Sequence, residues 1–132
     1  MTPPTPPTLD QLGGLDGLRR ILADFYDRLY ADILIGFFFQ PHPKEHLVEM
    51  QTRFMGRALG GAVEYTGKPV REAHEALPIL PGHFDRRHAI LRQVLEDHGV
   101  PDEAKRAWLK LDLRLRPLIL RTGEEARAAL ND

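Results

Sequence analysis

His74 is the residue of this chain whose neighbours best equip it for chemistry. It follows Pro69 by five residues and precedes Pro78 by four, in Pro69-Val70-Arg71-Glu72-Ala73-His74-Glu75-Ala76-Leu77-Pro78. A proline at each end confines the segment to a short helical piece, and a neutral imidazole held there can ligate iron. A single histidine beside apolar residues is more readily a packed or surface side chain. Its weight therefore depends on what the rest of the sequence supplies.

Two polar residues on apolar stripes stand out beside it. Leu18, Ile21, Leu22, Phe25 and Leu29 recur at helical spacing, and Tyr26 lies at the margin of that stripe. Its hydroxyl can meet water or point into a pocket. Leu47, Gln51 and Phe54 fall at i, i+4 and i+7 of the run from Lys44 to Leu59. A buried amide is costly unless partnered, so Gln51 either bonds a backbone group or touches a ligand. Phe37, Phe38 and Phe39 are consecutive and cannot all project to one helix face. Two surfaces there require aromatic cover.

A metal site without haem is the competing chemistry. His42 and His46 are four apart, with Glu45 and Glu49 close by. Pro43 suits the first turn of the following helix, which leaves His42 at or before the cap and off the face of His46. No second motif supplies matching ligands.

The chain as a whole limits the choice. Its 132 residues suit one domain, and 42% apolar residues allow a core. With 18 basic and 19 acidic residues the net charge is -1, which gives no general attraction to nucleic acid or an anionic surface. Without cysteine there are no disulfides, thiolate metal sites or thiol nucleophiles. No segment approaches the roughly 20 apolar residues of a membrane span. Met1 to Thr8 lacks the basic start and apolar run of a secretory signal, so a cytoplasmic protein is expected.

The elements that must position these residues read as helices divided by glycine and proline. Residues 1–8 are expected to be a disordered Pro/Thr-rich extension, 9–122 the domain, and 123–132 a short tail with a marginal helical turn. Gly13-Gly14 can join two helices at a sharp angle, with the second starting near Asp16. Gly60, Gly61, Gly67 and Pro69 make the stretch before His74 a loop. A helix from about Gly82 to His98 ends at Gly99, and Pro101 opens the last long one. Leu109 to Arg116 alternates like a strand, yet Ala104, Trp108, Leu111, Leu115, Leu118 and Ile119 keep the helical period, which predicts helix. Pro117 should bend or interrupt it.

Taken together, Gly13-Gly14, Phe25-Tyr26, Gly36-Phe37-Phe38-Phe39, Gln51, Leu59-Gly60-Gly61, Tyr65-Thr66-Gly67, His74 and His83-Phe84-Asp85 resemble the truncated haemoglobins, with group I-like features. The resemblance spans roughly Leu9 to Leu120. It implies an all-α two-on-two helical sandwich around one haem b, with hinges at Gly13-Gly14 and Gly60-Gly61. His74 would be the proximal iron ligand, leaving the opposite iron face open to a diatomic gas. Tyr26 and Gln51 would donate hydrogen bonds to the bound gas, beside an apolar Leu47 at the site where ordinary globins place a distal histidine. Phe39 would wedge the haem with Phe38 beside it, Phe84 would line it, and Tyr65 and Lys68 would meet its propionates. Lys68 reads nearly as well as a solvated loop lysine.

Two residues depart from the pattern. Arg87 stands where many relatives carry an apolar or aromatic residue near the distal pocket, and His46 could act as a sixth iron ligand if its helix rotated. The expected function is reversible binding of dioxygen and other gases such as nitric oxide and carbon monoxide, by a monomer or weak dimer. Nitric oxide dioxygenation is the alternative. It would need a separate reductase, because no flavin or nicotinamide domain is encoded. A haem-free helical interaction module is the third reading, and it leaves Tyr26, Gln51 and His74 unrelated.

Overall fold

In the computed structural model, residues 8–65, 67–74 and 76–120 are described. Six helices carry them: α1 (Thr8–Gln11), α2 (Gly14–Ala31), α3 (Lys44–Ala58), α4 (Val70–His74), α5 (Pro81–Asp97) and α6 (Asp102–Ile119), with a 3-10 turn at Gly36–Phe38. No strand occurs among the described residues. Residues 1–7 and the tail from 123 lie outside them. Thr8, assigned from sequence to the N-terminal extension, opens α1 instead.

The long helices pack as two pairs, α2 with α3 and α5 with α6, and α2 crosses onto α5. α2 buries Leu18, Ile21, Leu22, Phe25 and Leu29, the stripe its periodicity predicts. It begins at Gly14, two residues before Asp16, because Gly13 and Gly14 take φ of 90° and 72° and turn the chain between α1 and α2. Beyond its end, the Asp32 carboxylate accepts from the amides of Leu34 and Ile35, both at 3.1 Å, and folds the chain into the turn that carries the three phenylalanines.

α3 is rotated relative to the sequence expectation. Val48, Thr52 and Met55 form its buried face, while Leu47, Gln51 and Phe54 are only half-buried. Thr52 is kept inside by donating its hydroxyl to the Val48 carbonyl at 2.7 Å. Gly56 brings α3 close to α2, since a Cβ there would lie 2.8 Å from the Leu15 side chain. After α3, Gly60 adopts φ 100°. The chain end of α1 is tied to this junction by the Leu9 amide on the Leu59 carbonyl, 3.1 Å.

α5 buries Phe84, His88, Leu91, Val94 and Leu95, and α6 buries Ala104, Trp108, Asp112 and Ile119. The alternating run is therefore helix, with Leu113 and Leu118 on the outside. α6 does not break at Pro117 but continues two residues to Ile119, and the Leu120 amide still reaches the Arg116 carbonyl at 2.9 Å. In the last turn proline removes a single hydrogen bond, so little is lost.

Two apolar clusters result. The larger gathers α1, α2, α3, α5 and α6; the smaller joins Ile79, Phe84 and Ile119 with Val70, Leu77 and Leu115. Phe38 packs against both.

Candidate functional site

α4 is a single turn opened by Pro69, whose carbonyl accepts from Ala73 at 2.9 Å. His74 is its last residue and half-buried. Its Nδ1 lies 2.7 Å from the Val70 carbonyl, one turn back. A carbonyl can only accept, so Nδ1 carries a proton, and in the neutral ring this is the tautomer whose Nε2 can ligate a metal. Beyond it, Ile79 anchors the chain in the smaller cluster.

Tyr26 is 7% exposed, with its ring edge-on to Phe25 at 5.6 Å and to Phe39 at 6.0 Å. Burial pushes its phenol above the ordinary value, and the nearby positive charge of Arg87 only partly opposes this. Tyr26 is thus a neutral hydroxyl donor at neutral pH. Gln51 forms no side-chain hydrogen bond among the described residues, and none of their buried polar side-chain atoms lacks a partner. Its half-buried amide therefore opens onto accessible space, rather than bonding a backbone group.

The other expected residues fall into place unevenly. Leu47 is half-buried one turn before Gln51. Phe39 packs on the rings of Tyr26 and Tyr30, whereas Phe38 lies tilted against Phe37 at 4.1 Å and meets the His83 ring at 5.0 Å. Phe84 is 1% exposed in the smaller cluster. Tyr65 donates its hydroxyl to the Lys68 carbonyl at 2.7 Å and lays its ring against Phe54 at 5.3 Å, so Tyr65 and Lys68 come together on one loop. The Lys68 side chain is exposed, as are His42 and His46. Among the described residues no group of three or more histidine, aspartate or glutamate side chains gathers to hold a metal ion.

Sequence reasoning singled out Arg87 but missed its partners. Arg87 Nη1 donates to Asp112 Oδ1 at 2.6 Å, and His88 Nδ1 lies 2.8 Å from Asp112 Oδ2. The Arg87 guanidinium also sits 5.2 Å over the Phe25 ring. Burial alone would raise the Asp112 carboxyl, but Arg87 and His88 reverse this and hold it below the ordinary carboxylate value. Burial likewise works against the charge on Arg87, and Asp112 outweighs it. The signal was available: Ala104, Trp108 and Asp112 share one stripe at spacings of four, which puts a carboxylate on a buried face.

The bacterial-like globin family matches residues 8–119. The group 1 truncated haemoglobin GlbN of Mycolicibacterium paratuberculosis is 32% identical over 121 residues, covering 92% of this chain and 88% of that protein. The Fe(III) crystal structure of truncated haemoglobin from Tetrahymena pyriformis superposes with a TM-score of 0.81 at 29% identity, covering 87% of this chain and 98% of that one. Haemoglobin from Chloroflexus aurantiacus gives 0.80 at 28%, covering 89% and 100%. The six-helix sandwich is thus a globin of the two-on-two kind. The chain belongs to the bacterial-like globin family, among its truncated haemoglobins.

Haem-based binding of a diatomic gas is the general property of that family, and the residues present fit a haem. α3 rests on α2 and α4 on α6, so the helices bearing Gln51 and His74 lean on different partners. Leu47, Phe54, Phe38 and Leu77 stay only half-buried, as the walls of a flat apolar guest would. Histidine is the side chain that holds haem iron in globins.

Proposed function

We propose that this chain holds haem b through His74 Nε2 and binds dioxygen, nitric oxide or carbon monoxide reversibly, with Tyr26 and Gln51 as hydrogen-bond donors to the ligand. The observation that carries the reading is the His74 Nδ1 contact to the Val70 carbonyl, which sets both the tautomer and the ring orientation. Bound there, the iron supplies one open coordination position.

The protein's own residues do the rest. The Val70 carbonyl makes the imidazole a stronger donor and stops its ring turning. Tyr26 keeps its proton because its surroundings disfavour the phenolate, and so remains able to donate. Donors pre-set in a site of restricted water access favour a ligand that gains negative charge on binding. Leu47, Phe38 and Phe54 restrict that access, and their positions make them contacts for the flat ring system. Lys68 suits a carboxylate at the rim by its charge, while Tyr65, on the same loop, donates its hydroxyl proton to the Lys68 carbonyl.

Absorption spectra of the purified chain mixed with haem, in ferric, ferrous and carbon monoxide-bound forms, test this beside His74→Ala. A Soret band and a histidine-ligated carbonyl spectrum, lost or altered in the variant, are expected. No stoichiometric haem uptake by the wild-type chain would overturn the reading and favour a helical interaction module.

A further inference from the structure

We propose that Arg87, clamped by Asp112, makes the distal side of this protein selective for small monoanions with terminal lone pairs, such as azide or nitrite. The inference rests on the haem reading above.

Arg87 occupies α5 yet reaches α2, where its guanidinium covers Phe25, the sequence neighbour of Tyr26. Its side chain is 16% exposed, against 3% for Asp112. Asp112 has both oxygens engaged, Oδ1 by Arg87 and Oδ2 by His88, so the carboxylate is fixed from two directions. The clamp takes only Nη1 of the guanidinium. Nε and Nη2 meet no acceptor among the described residues, and none of their buried polar side-chain atoms is unpartnered. Those two nitrogens therefore open onto accessible space.

A guanidinium pinned at one corner and seated over an aromatic ring presents its remaining N–H groups as a planar fork. That fork matches an anion with two adjacent lone pairs or a charged terminal atom. Asp112 engages Nη1, so Nε and Nη2 are the donors left for a further acceptor. Tyr26 feels the guanidinium charge, since Arg87 opposes the upward push of burial on its phenol. A purely structural ion pair would need neither the spare donors nor their opening.

The test compares azide binding to the ferric protein with carbon monoxide binding to the ferrous protein, at one pH, in wild type, Arg87→Lys, Arg87→Gln and Arg87→Gln/Asp112→Asn. The double variant removes both charges and so leaves no orphaned carboxylate in the interior. Loss of a charge-assisted hydrogen bond predicts about tenfold weaker azide binding in both Gln variants. Carbon monoxide affinity is expected to stay within about twofold, and Arg87→Lys to recover part of the azide affinity. Equal losses for azide and carbon monoxide would make Arg87 a packing residue and overturn the proposal, as would unchanged azide affinity. A wild-type chain that takes up haem but fails these comparisons overturns this inference alone; one that takes up no haem overturns the haem reading with it.

Discussion

A single oxygen atom separates Tyr26 from a purely apolar residue. Tyr26→Phe keeps the edge-on contacts with Phe25 and Phe39 and deletes one donor. A hydrogen bond of about 1–1.5 kcal/mol corresponds to roughly tenfold faster dioxygen dissociation in stopped-flow displacement, with faster autoxidation. An off-rate equal to wild type would remove Tyr26 from ligand contact. Asp112 acts through stability instead. Its folded-state pKa lies below the ordinary carboxylate value, so its contribution is complete above about pH 3.9 and is lost as pH falls through the folded value. Asp112→Asn leaves Arg87 without its counter-charge and is expected to cost about 3–5 kcal/mol at pH 7. That deficit narrows as pH drops from 5 to 3. Thermal melts across that range check it, and a deficit that stays constant would exclude the ionised pair as the cause. Tyr26 and Gln51 stood out as polar residues at helical spacing, and His74 by the prolines that bound its segment. The Arg87–Asp112–His88 cluster was not, because it joins residues 24 and 25 positions apart, and that register is set by α5 packing on α6.

Helix boundaries follow local rules where glycine or proline enforces them. Gly13 and Gly14 define the α1–α2 corner by their positive φ, and Pro69 opens α4. Where tertiary packing chooses, sequence alone falls short. On α3 the residues one step along from Leu47 and Gln51 are the ones pressed against α2, a choice of face that depends on Gly56 allowing close approach. Another close approach gives a test. A Cβ on Gly17 would overlap the Leu12 carbonyl, so Gly17→Ala must displace α1 from α2. A loss of about 1–3 kcal/mol in denaturant unfolding is expected. Gly82→Ala faces open space and should change stability by no more than about 0.5 kcal/mol. Equal effects for the two would show that propensity, not the corner, decides.

For the whole molecule, the all-α sandwich was readable because helical period, glycine hinges and proline starts agree along the chain. That Leu47, Phe54, Phe38 and Leu77 stay half-buried was not readable, since burial depends on which helices lean on which. On the proposed haem reading these residues line the guest, and stability is shared with it. A ligand that binds only the folded state at 1,000 times its Kd adds about 4 kcal/mol. At this length each kcal/mol moves Tm by roughly 3–5 °C, so removing haem is expected to lower Tm by about 10–20 °C in paired melts. Coincident melts with and without haem would contradict a guest built into the core.

α4 has only five residues, far short of the roughly 12–15 at which an isolated helix begins to hold itself in water. Its order is borrowed, from α6 on one side and from Ile79 in the smaller cluster on the other. The segment proposed to hold the iron is therefore the one that can open locally at least cost, while the two helix pairs stay assembled. On that reading haem can leave through local opening of this small unit, before the whole fold comes apart.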